Sequence, residues 1–276
     1  MGSPRPLRAV FLMSIRIGAV SYLNTKPLIY GLRKRLPHAE LYLDLPSRLA
    51  DQLAAGDLDV ALIPSVEFLR GTDLSIVSDA CIACRGEVRS VQLLFNCEPS
   101  QVRSLALDEG SRTSAALAQV LLDQKYGIRP QLSTLSIDDD YSKRTEDALL
   151  IIGDRAMQVD SNRYVDTWDL GQEWQQQTGL SFVFAMWVGR TGEFLPEVSE
   201  AFQSCRSLGL SAIDEIAALE APKYGLQESD CKMYFQDQLY FQLGEPELKG
   251  LSLFREAAIK LELVPATSGR LSLEPN

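Results

Sequence analysis

A run of hydroxyl side chains around an arginine, Ser111-Arg112-Thr113-Ser114, is the clearest candidate for chemistry in this chain. Ser111 stands between a strand-like segment and a segment of helical periodicity, which is typical of a helix N-cap. The N–H groups of a first helical turn bind anions, and Arg112 would add a bidentate clamp for a carboxylate. The same residues also fit an ordinary capped helix with an exposed arginine. The run therefore predicts either an anion site or a simple helix start.

Other loops that adjoin strand-like segments also carry polar groups. Ser21-Tyr22-Leu23-Asn24-Thr25 follows the first strand, Pro64-Ser65 follows the third, and residues 85–90 precede an apolar strand. Gly153-Asp154-Arg155 follows the apolar segment ALLII. Asn24 equally fits a turn former, and Asp154 equally fits a cap of the segment that follows it. From the residues alone, these loops predict a cleft that favours small anions.

The remaining composition excludes several kinds of chemistry. The chain has one histidine, His38, in the polar segment RKRLPHAEL, which indicates a surface loop and excludes a multi-histidine zinc site. The five cysteines are odd in number and irregularly spaced, which argues against a disulfide framework. Cys81 and Cys84 fall on one predicted strand, with side chains on opposite faces. They therefore predict buried or half-buried reduced thiols, and a cytoplasmic protein.

Length and charge narrow the class of protein further. The 276 residues are 46% apolar with a formal net charge of −10, which fits a globular protein of one large or two smaller domains. An acidic chain is a poor nucleic-acid binder, because such binding needs a basic surface. The sequence contains no run of 18 apolar residues, so no membrane-spanning helix is predicted. Residues 1–13 are predicted to be a leader, and the folded protein is expected to start near Met13.

The elements that must position these loops alternate between strand and helix. Residues 14–63 predict β-α-β-α-β, which means a parallel sheet with helices on its faces. A second series begins at residue 104, with a helix that starts at Ser111 and stops at Gly127. The chain after residue 195 predicts helices, including one over residues 230–241, whose aromatic residues recur at helical spacing.

Two apolar strands, residues 90–95 and 182–188, bracket the middle third of the chain. They predict two lobes between which the chain crosses twice. Residues 14–93 and 187–276 form the first lobe, and residues 94–186 form the second. A small ligand would bind between them, at the carboxyl ends of the strands.

Several blocks of the sequence resemble those of one enzyme family, in the same order. IGAVSYLNTKPLIYGL, DVALIPSVEFLR, RGEVRSVQLLF, LDEGSRTSAALAQVLL, ALLIIGDRAM and DLGQEWQQQTGLSFVFAMWVGR are similar to blocks of the chorismate dehydratases of the futalosine route to menaquinone. The similarity is strong over residues 15–190 and weak in the tail. Ser181 departs from the family, in which a proline is expected.

The resemblance implies an α/β fold of the periplasmic-binding-protein-like type II class, with two lobes used as an enzyme. It implies dehydration of chorismate to 3-[(1-carboxyvinyl)oxy]benzoate without a metal or an organic cofactor. Asn24 and Ser90 are the expected catalytic residues. Taken with the loop positions, the expected substrate-binding residues are Ser21, Tyr22, Thr25, Ser65, Gly86, Val91, Ser111, Arg112, Thr113, Ser114, Gly153 and Asp154.

Two other functions stay open at this point. A dihydroxynaphthoate synthase shares the fold and pathway, but it is associated with a histidine base and a different opening block. A non-catalytic solute-binding protein for a small carboxylate is the alternative from another class, and it would be expected to carry a signal peptide. For the dehydratase, His38 is badly placed as a base. We therefore expect the enolpyruvyl carboxylate of chorismate itself to take the proton.

Overall fold

The computed structural model of the protein describes residues 15–192 and 196–266, so the predicted leader over residues 1–13 lies outside the described residues. The described strands are β1 (Arg16–Val20), β2 (Glu40–Asp44), β3 (Val60–Pro64), β4 (Leu74–Cys84), β5 (Val91–Phe95), β6 (Ser104–Asp108), β7 (Gln131–Leu135), β8 (Ala148–Ile152), β9 (Asp166–Asp169), β10 (Phe182–Arg190) and β11 (Tyr240–Gln242). The described α-helices are α1 (Lys26–Ile29), α2 (Leu32–Arg35), α3 (Pro46–Ala55), α4 (Ser65–Arg70), α5 (Arg112–Tyr126), α6 (Leu170–Thr178), α7 (Pro196–Ser211), α8 (Ile213–Glu220), α9 (Glu228–Met233) and α10 (Glu245–Lys260).

The strands form two separate sheets. The first has the order β11-β4-β10-β3-β1-β2, and the second has the order β7-β6-β8-β5-β9. β1 pairs in parallel with both β2 and β3, as the β-α-β-α-β pattern predicts. β6 likewise pairs in parallel with β7 and β8, whereas β5 and β10 run antiparallel to their neighbours. The prediction of an α/β protein with two sheets and helices is confirmed.

The chain crosses between the sheets earlier than predicted. β5 lies entirely in the second sheet and pairs with β8 from Val91 onward. β10 lies entirely in the first sheet and pairs with β4 from Phe182 onward. Boundaries after residues 93 and 186 would cut through both strands. The crossings are instead residues 85–90 and residues 170–181, and the second crossing contains α6.

The C-terminal tail corrects the prediction of one helix over residues 230–241. α9 ends at Met233, and a π-helical turn, Tyr234–Gln238, follows it. The chain then extends into β11, which pairs with β4 at the edge of the first sheet. Helical spacing of aromatic residues was thus a misleading signal here, because the open edge of β4 provides backbone partners that the local pattern does not reveal.

The predicted states of the cysteines and of His38 are confirmed. All five cysteines are free thiols, four of them buried and Cys97 partly buried. Burial raises the pKa of the Cys84 thiol to about 12, so it is inert as a nucleophile near neutral pH. His38 lies in an exposed turn after α2.

The two lobes present the carboxyl ends of their parallel strands to each other. The loops after β1 and β3 face the loops after β6 and β8, which is where ligands bind in open α/β sheets. No described helix has the length and apolar character needed to cross a membrane.

Candidate active site

A narrow cavity of about 50 Å³ lies between the two lobes. Both lobes contribute to its lining, and so does the first crossing. The lining residues are Val20, Tyr22, Asn24, Pro46, Pro64, Ile82, Val88, Ser90, Val91, Ser111, Ser114, Ile152, Gly153, Phe184 and Ala185. Its polar side chains are neutral hydroxyls and one amide. In the part of the chain that the structure describes, no charged side chain belongs to this lining.

The predicted site residues divide into two groups. The structure brings Tyr22, Asn24, Ser90, Val91, Ser111, Ser114 and Gly153 together around the cavity. The other predicted residues do not line it: Ser21, Thr25, Ser65, Gly86, Arg112, Thr113 and Asp154. Several residues of the apolar walls were missed, although Val20 and Ile152 mark the ends of apolar strands and could have been found from that position.

The start of α5 faces the cavity through two serines. Ser111 is the N-cap, and its Oγ accepts a hydrogen bond from the Ser114 N–H at 3.1 Å. The Ser111 hydroxyl also donates to Ser114 Oγ at 2.8 Å. Both hydroxyl groups therefore lie beside the positive end of a 15-residue helix. This geometry suits a bound carboxylate better than it suits a cation.

Arg112 does not contribute to the cavity. Its guanidinium donates two hydrogen bonds to Asp51 of α3, at 2.9 and 2.8 Å, and lies 3.5 Å from Glu67 of α4. The predicted clamp for a carboxylate is therefore corrected: on this face of α5, two protein carboxylates already hold the guanidinium.

Thr113 and Ser65 join the lobes behind the cavity. Both are fully buried, and Thr113 Oγ1 accepts a hydrogen bond from the Val66 N–H at 3.1 Å. The Ser65 hydroxyl donates to the Val183 carbonyl at 2.7 Å and lies 3.4 Å from Thr113 Oγ1. Their predicted contact with substrate is replaced by contacts between α4, α5 and β10.

The other outlying residues support their neighbours. The Thr25 hydroxyl donates to Asn24 Oδ1 at 3.3 Å, which orients the amide. Ser21 is held through its backbone, whose carbonyl accepts from the Tyr224 hydroxyl at 3.4 Å. Gly86 has a φ of +130° and approaches Gln175 of α6 so closely that a Cβ would lie 2.8 Å from Gln175 Oε1.

Tyr22 reaches from the first lobe into the second. Its ring packs over Gly153, where an added Cβ would meet three ring carbons at 3.0–3.1 Å. Its hydroxyl lies above Gly110 and makes no hydrogen bond within the described residues. Burial and the nearby Asp108 carboxylate raise the pKa of Tyr22, so the phenol stays protonated and is a donor for a ligand in the cavity.

Ser90 is fixed by an unusual turn in the first crossing. The Ser90 N–H donates to the Val88 carbonyl at 2.7 Å, which closes a tight turn around Arg89 with its φ at +61°. The Asp169 carboxylate accepts from the N–H groups of Val88 and Arg89, the latter at 2.6 Å. Strained backbone of this kind persists where the surroundings hold it, and it is frequent at functional sites.

Tyr234 adds a contact that the sequence did not predict. Its hydroxyl donates to Ser90 Oγ at 2.8 Å, although the two residues are 144 positions apart. Ser90 is 2% exposed and Tyr234 is 1% exposed, so this pair is out of water.

Asp154 links the lobes beside the cavity. Its Oδ1 accepts from the Leu23 N–H at 3.1 Å, so it neither caps its own segment nor lines the cavity. Burial raises the pKa of this carboxyl to about 6, and the hydrogen bond from Leu23 and the charge of Lys26 oppose the shift.

Asp154→Asn is expected to stabilise the protein at pH 8 by about 1–3 kcal/mol, since two pKa units correspond to about 3 kcal/mol. The folded state binds this proton more tightly than the unfolded state does. Its stability therefore falls as the pH rises from about 4 to about 6, and the asparagine removes that cost while it can still accept from Leu23. Urea unfolding at pH 8 and pH 4 measures the effect, which shrinks towards zero at the lower pH. The exposed Asp138→Asn is the control. An equal gain for Asp154→Asn at both pH values would contradict the assignment.

Within the described residues, no group of three or more His, Cys, Asp or Glu side chains is arranged to hold a metal ion. The cavity is lined by neutral hydrogen-bond donors, by apolar walls and by the start of α5.

Comparison with solved structures shows the fold. A structural-genomics protein from Archaeoglobus fulgidus superposes with a TM-score of 0.72 at 16% identity, covering 91% of this chain and 98% of its own. The periplasmic aliphatic sulphonate binding protein of Escherichia coli superposes with a TM-score of 0.60 at 17% identity, covering 93% of this chain and 95% of its own. The protein has a periplasmic-binding-protein-like fold.

Comparison of sequences shows the family. A family model described as menaquinone biosynthesis matches residues 15–260. A chorismate dehydratase from Thermus thermophilus is 30% identical over 266 residues, covering 87% of this chain and 94% of that protein. Since the two matches each span most of the chain, the protein belongs to the menaquinone biosynthesis family.

Proposed function

We propose that this protein is a chorismate dehydratase, which converts chorismate into 3-[(1-carboxyvinyl)oxy]benzoate and water. The family supports this reaction, and so does the similarity to a curated chorismate dehydratase. One structural observation carries the proposal: uncharged donors from both lobes and from the first crossing converge on a cavity with apolar walls. A small anionic ring fits this combination of a helix start and apolar surfaces.

The ring carboxylate of chorismate belongs, in this proposal, at the start of α5. The protein carries a formal charge of −10, so local donors must hold a dianionic substrate. The Ser114 and Tyr22 hydroxyls provide them, together with the first-turn N–H groups, and Ser111 holds Ser114 in place through its own hydroxyl. Val88 and Phe184 contribute apolar surface for the ring.

The reaction begins with loss of the proton on C3 of the ring. That proton is vinylogous to the ring carboxylate, so its removal gives a dienolate-like anion. Donors on the carboxylate stabilise the negative charge as it develops. Loss of the C4 hydroxyl then makes the ring aromatic.

The enolpyruvyl carboxylate of the substrate is the proposed base. No Asp, Glu, His or Lys lines the cavity among the residues that the structure describes, although a general base must lie within hydrogen-bond reach of its proton. The enolpyruvyl group is attached to C3 itself, and tethering of this kind supplies effective molarities of about 10⁵ M or more.

Asn24 and Ser90 assist the departing hydroxyl in this scheme. The Asn24 carbonyl oxygen accepts from Thr25, which leaves its amide N–H groups to donate into the cavity. Ser90 lies at the first crossing, between the two lobes. Both residues orient the enolpyruvyl carboxylate or hydrogen-bond the C4 oxygen as it leaves.

Access requires the lobes to separate. The cavity is far smaller than the ligand pockets of about 300–1,000 Å³ that are usual for small molecules. Hydrogen bonds also join the lobes around it, from Leu23 to Asp154 and from the Ser47 N–H to the Gly110 carbonyl at 3.2 Å. We propose that the lobes separate to admit chorismate and that these hydrogen bonds form again once it is bound. The closed lobes then exclude water from the reactive diene. The free thiols are consistent with an enzyme that works in the cytoplasm.

Incubation of the purified protein with chorismate tests the function. One aromatic product is expected, lighter than chorismate by one water and formed over many turnovers. Stoichiometric binding of chorismate or of another small anion, with no product, would favour a solute-binding protein of the same fold instead.

A further inference from the structure

Tyr234 occupies a rare backbone element at a point that the proposed chemistry uses. It is the first residue of the π-helical turn Tyr234–Gln238, and such turns occur frequently at functional sites. Its ring is buried in the first lobe, and its hydroxyl reaches Ser90 in the first crossing. The contact therefore ties the C-terminal tail to the wall of the cavity.

The direction of this hydrogen bond decides what Ser90 can do. Tyr234 donates and Ser90 Oγ accepts, so the hydroxyl proton of Ser90 remains available for another acceptor. Burial raises the pKa of Tyr234, which keeps it a neutral donor throughout the working pH range.

Ser90 is held on its backbone side as well. Its carbonyl accepts from the Gly153 N–H at 2.9 Å, and its own N–H closes the turn with Val88. The backbone of Ser90 is thus fixed independently of Tyr234, and what the tyrosine adds is the orientation of the hydroxyl.

We propose that Tyr234 is a positioning residue that turns the Ser90 hydroxyl towards the substrate oxygen that departs from C4. The inference rests on the proposed dehydratase function. Preorganised donors act without reorganising during the reaction, so a loss of orientation lowers the turnover number more than it raises the Michaelis constant.

Tyr234→Phe tests the role because it removes one oxygen atom and keeps the ring. The turnover number for chorismate is expected to fall about tenfold, which is the effect of a barrier increase near 1.4 kcal/mol, while the Michaelis constant changes less than about threefold. Tyr30→Phe is the control: it removes an exposed hydroxyl that bonds Glu215, and it leaves turnover unchanged.

A double-mutant cycle separates positioning from a general structural effect. In a Ser90→Ala background, Tyr234→Phe is expected to lower turnover by less than about twofold, because the hydroxyl that it orients is gone. The proposal would be overturned if Tyr234→Phe lowered turnover tenfold in both the wild-type and the Ser90→Ala backgrounds. It would also be overturned if the Tyr234→Phe variant were as active as the wild type. A wild-type protein that does not turn chorismate over would remove the proposed function, and the positioning role with it.

A structure of the wild-type protein with the aromatic product bound tests the same proposal without a variant. We expect Tyr234 Oη to stay within hydrogen-bond distance of Ser90 Oγ, with Ser90 Oγ in contact with the product. A Ser90 hydroxyl beyond hydrogen-bond distance of Tyr234 Oη, or out of contact with the product, would contradict the proposal.

Discussion

The Asn24→Ala variant is expected to turn chorismate over about 10²–10³ times more slowly than the wild type, which is the effect of losing one preorganised donor at developing charge. Asn24 lies in the 3₁₀ turn Leu23–Thr25 at the carboxyl end of β1, and its amide lines the cavity. Because Thr25 holds the Asn24 carbonyl oxygen, the amide N–H groups are already directed before substrate enters. Alanine removes the donor and leaves the turn.

Steady-state kinetics of chorismate dehydration measures this effect. The Michaelis constant is expected to change much less than the turnover number, because the lost interaction forms mainly with the departing hydroxyl. The exposed Asn162→Ala controls for an amide lost elsewhere in the second lobe. Turnover within threefold of the wild type would show that Asn24 is a turn former only.

Arg155→Met is expected to lower the free energy of unfolding by about 3–5 kcal/mol, the usual cost of leaving a buried charge without its partner. The Asp108 side chain is completely buried, and Arg155 Nη2 lies 2.5 Å from its Oδ2. Asp108 also accepts from the Gly110 N–H at 2.9 Å and from the Ile152 N–H at 3.3 Å. Asp108 therefore holds together the loops that follow β6 and β8, which both contact the Tyr22 side chain.

The loss should diminish at low pH. Burial raises the pKa of Asp108 even with the arginine present, and removing the arginine raises it further. A protonated Asp108 no longer needs a cationic partner, so stability of the variant approaches that of the wild type as the pH falls. Urea unfolding at two pH values measures both effects.

Arg129→Met provides a matched control, since Arg129 pairs with Asp123 at 2.9 Å while 68% of its side chain is exposed. Its loss is expected to cost less than about 1 kcal/mol. Equal small losses in the two variants would mean that the Asp108 charge is solvated, contrary to the burial described above.

The sequence predicted those features of the fold that depend on local signals. The start of α5 at Ser111 and its end at Gly127 follow from a side-chain cap and from a glycine with φ at +70°, both of which are local chemistry. The parallel pairing of β1 with β2 and β3 follows from alternation of strands and helices. The first helix of the predicted β-α-β-α-β series is divided into α1 and α2 at Gly31, whose φ is +76°, so a glycine inside the helical pattern was a stronger signal than the periodicity.

The features that were missed depend on contacts between residues far apart in the chain. Thr113 and Arg112 are good candidates for binding an anion until α4 and α3 pack beside them and provide Val66, Asp51 and Glu67 as partners. Asp154 finds its partner 131 residues away, across the cavity. Tyr234 belongs to a tail in which the local pattern indicated only a helix. Loop position and residue type identified the cavity, but only the packing of the two lobes decides which side of each loop faces it.

Turnover of chorismate that carries deuterium at C3 tests the central claim most directly. Dehydration to 3-[(1-carboxyvinyl)oxy]benzoate removes the C3 hydrogen and the C4 hydroxyl, so mass spectrometry should show an aromatic product that has lost one water and all of the label. The deuterium should slow the reaction if removal of that hydrogen limits the rate. A product that keeps the deuterium, or a protein that binds chorismate without converting it, would contradict the assignment of this protein as a chorismate dehydratase.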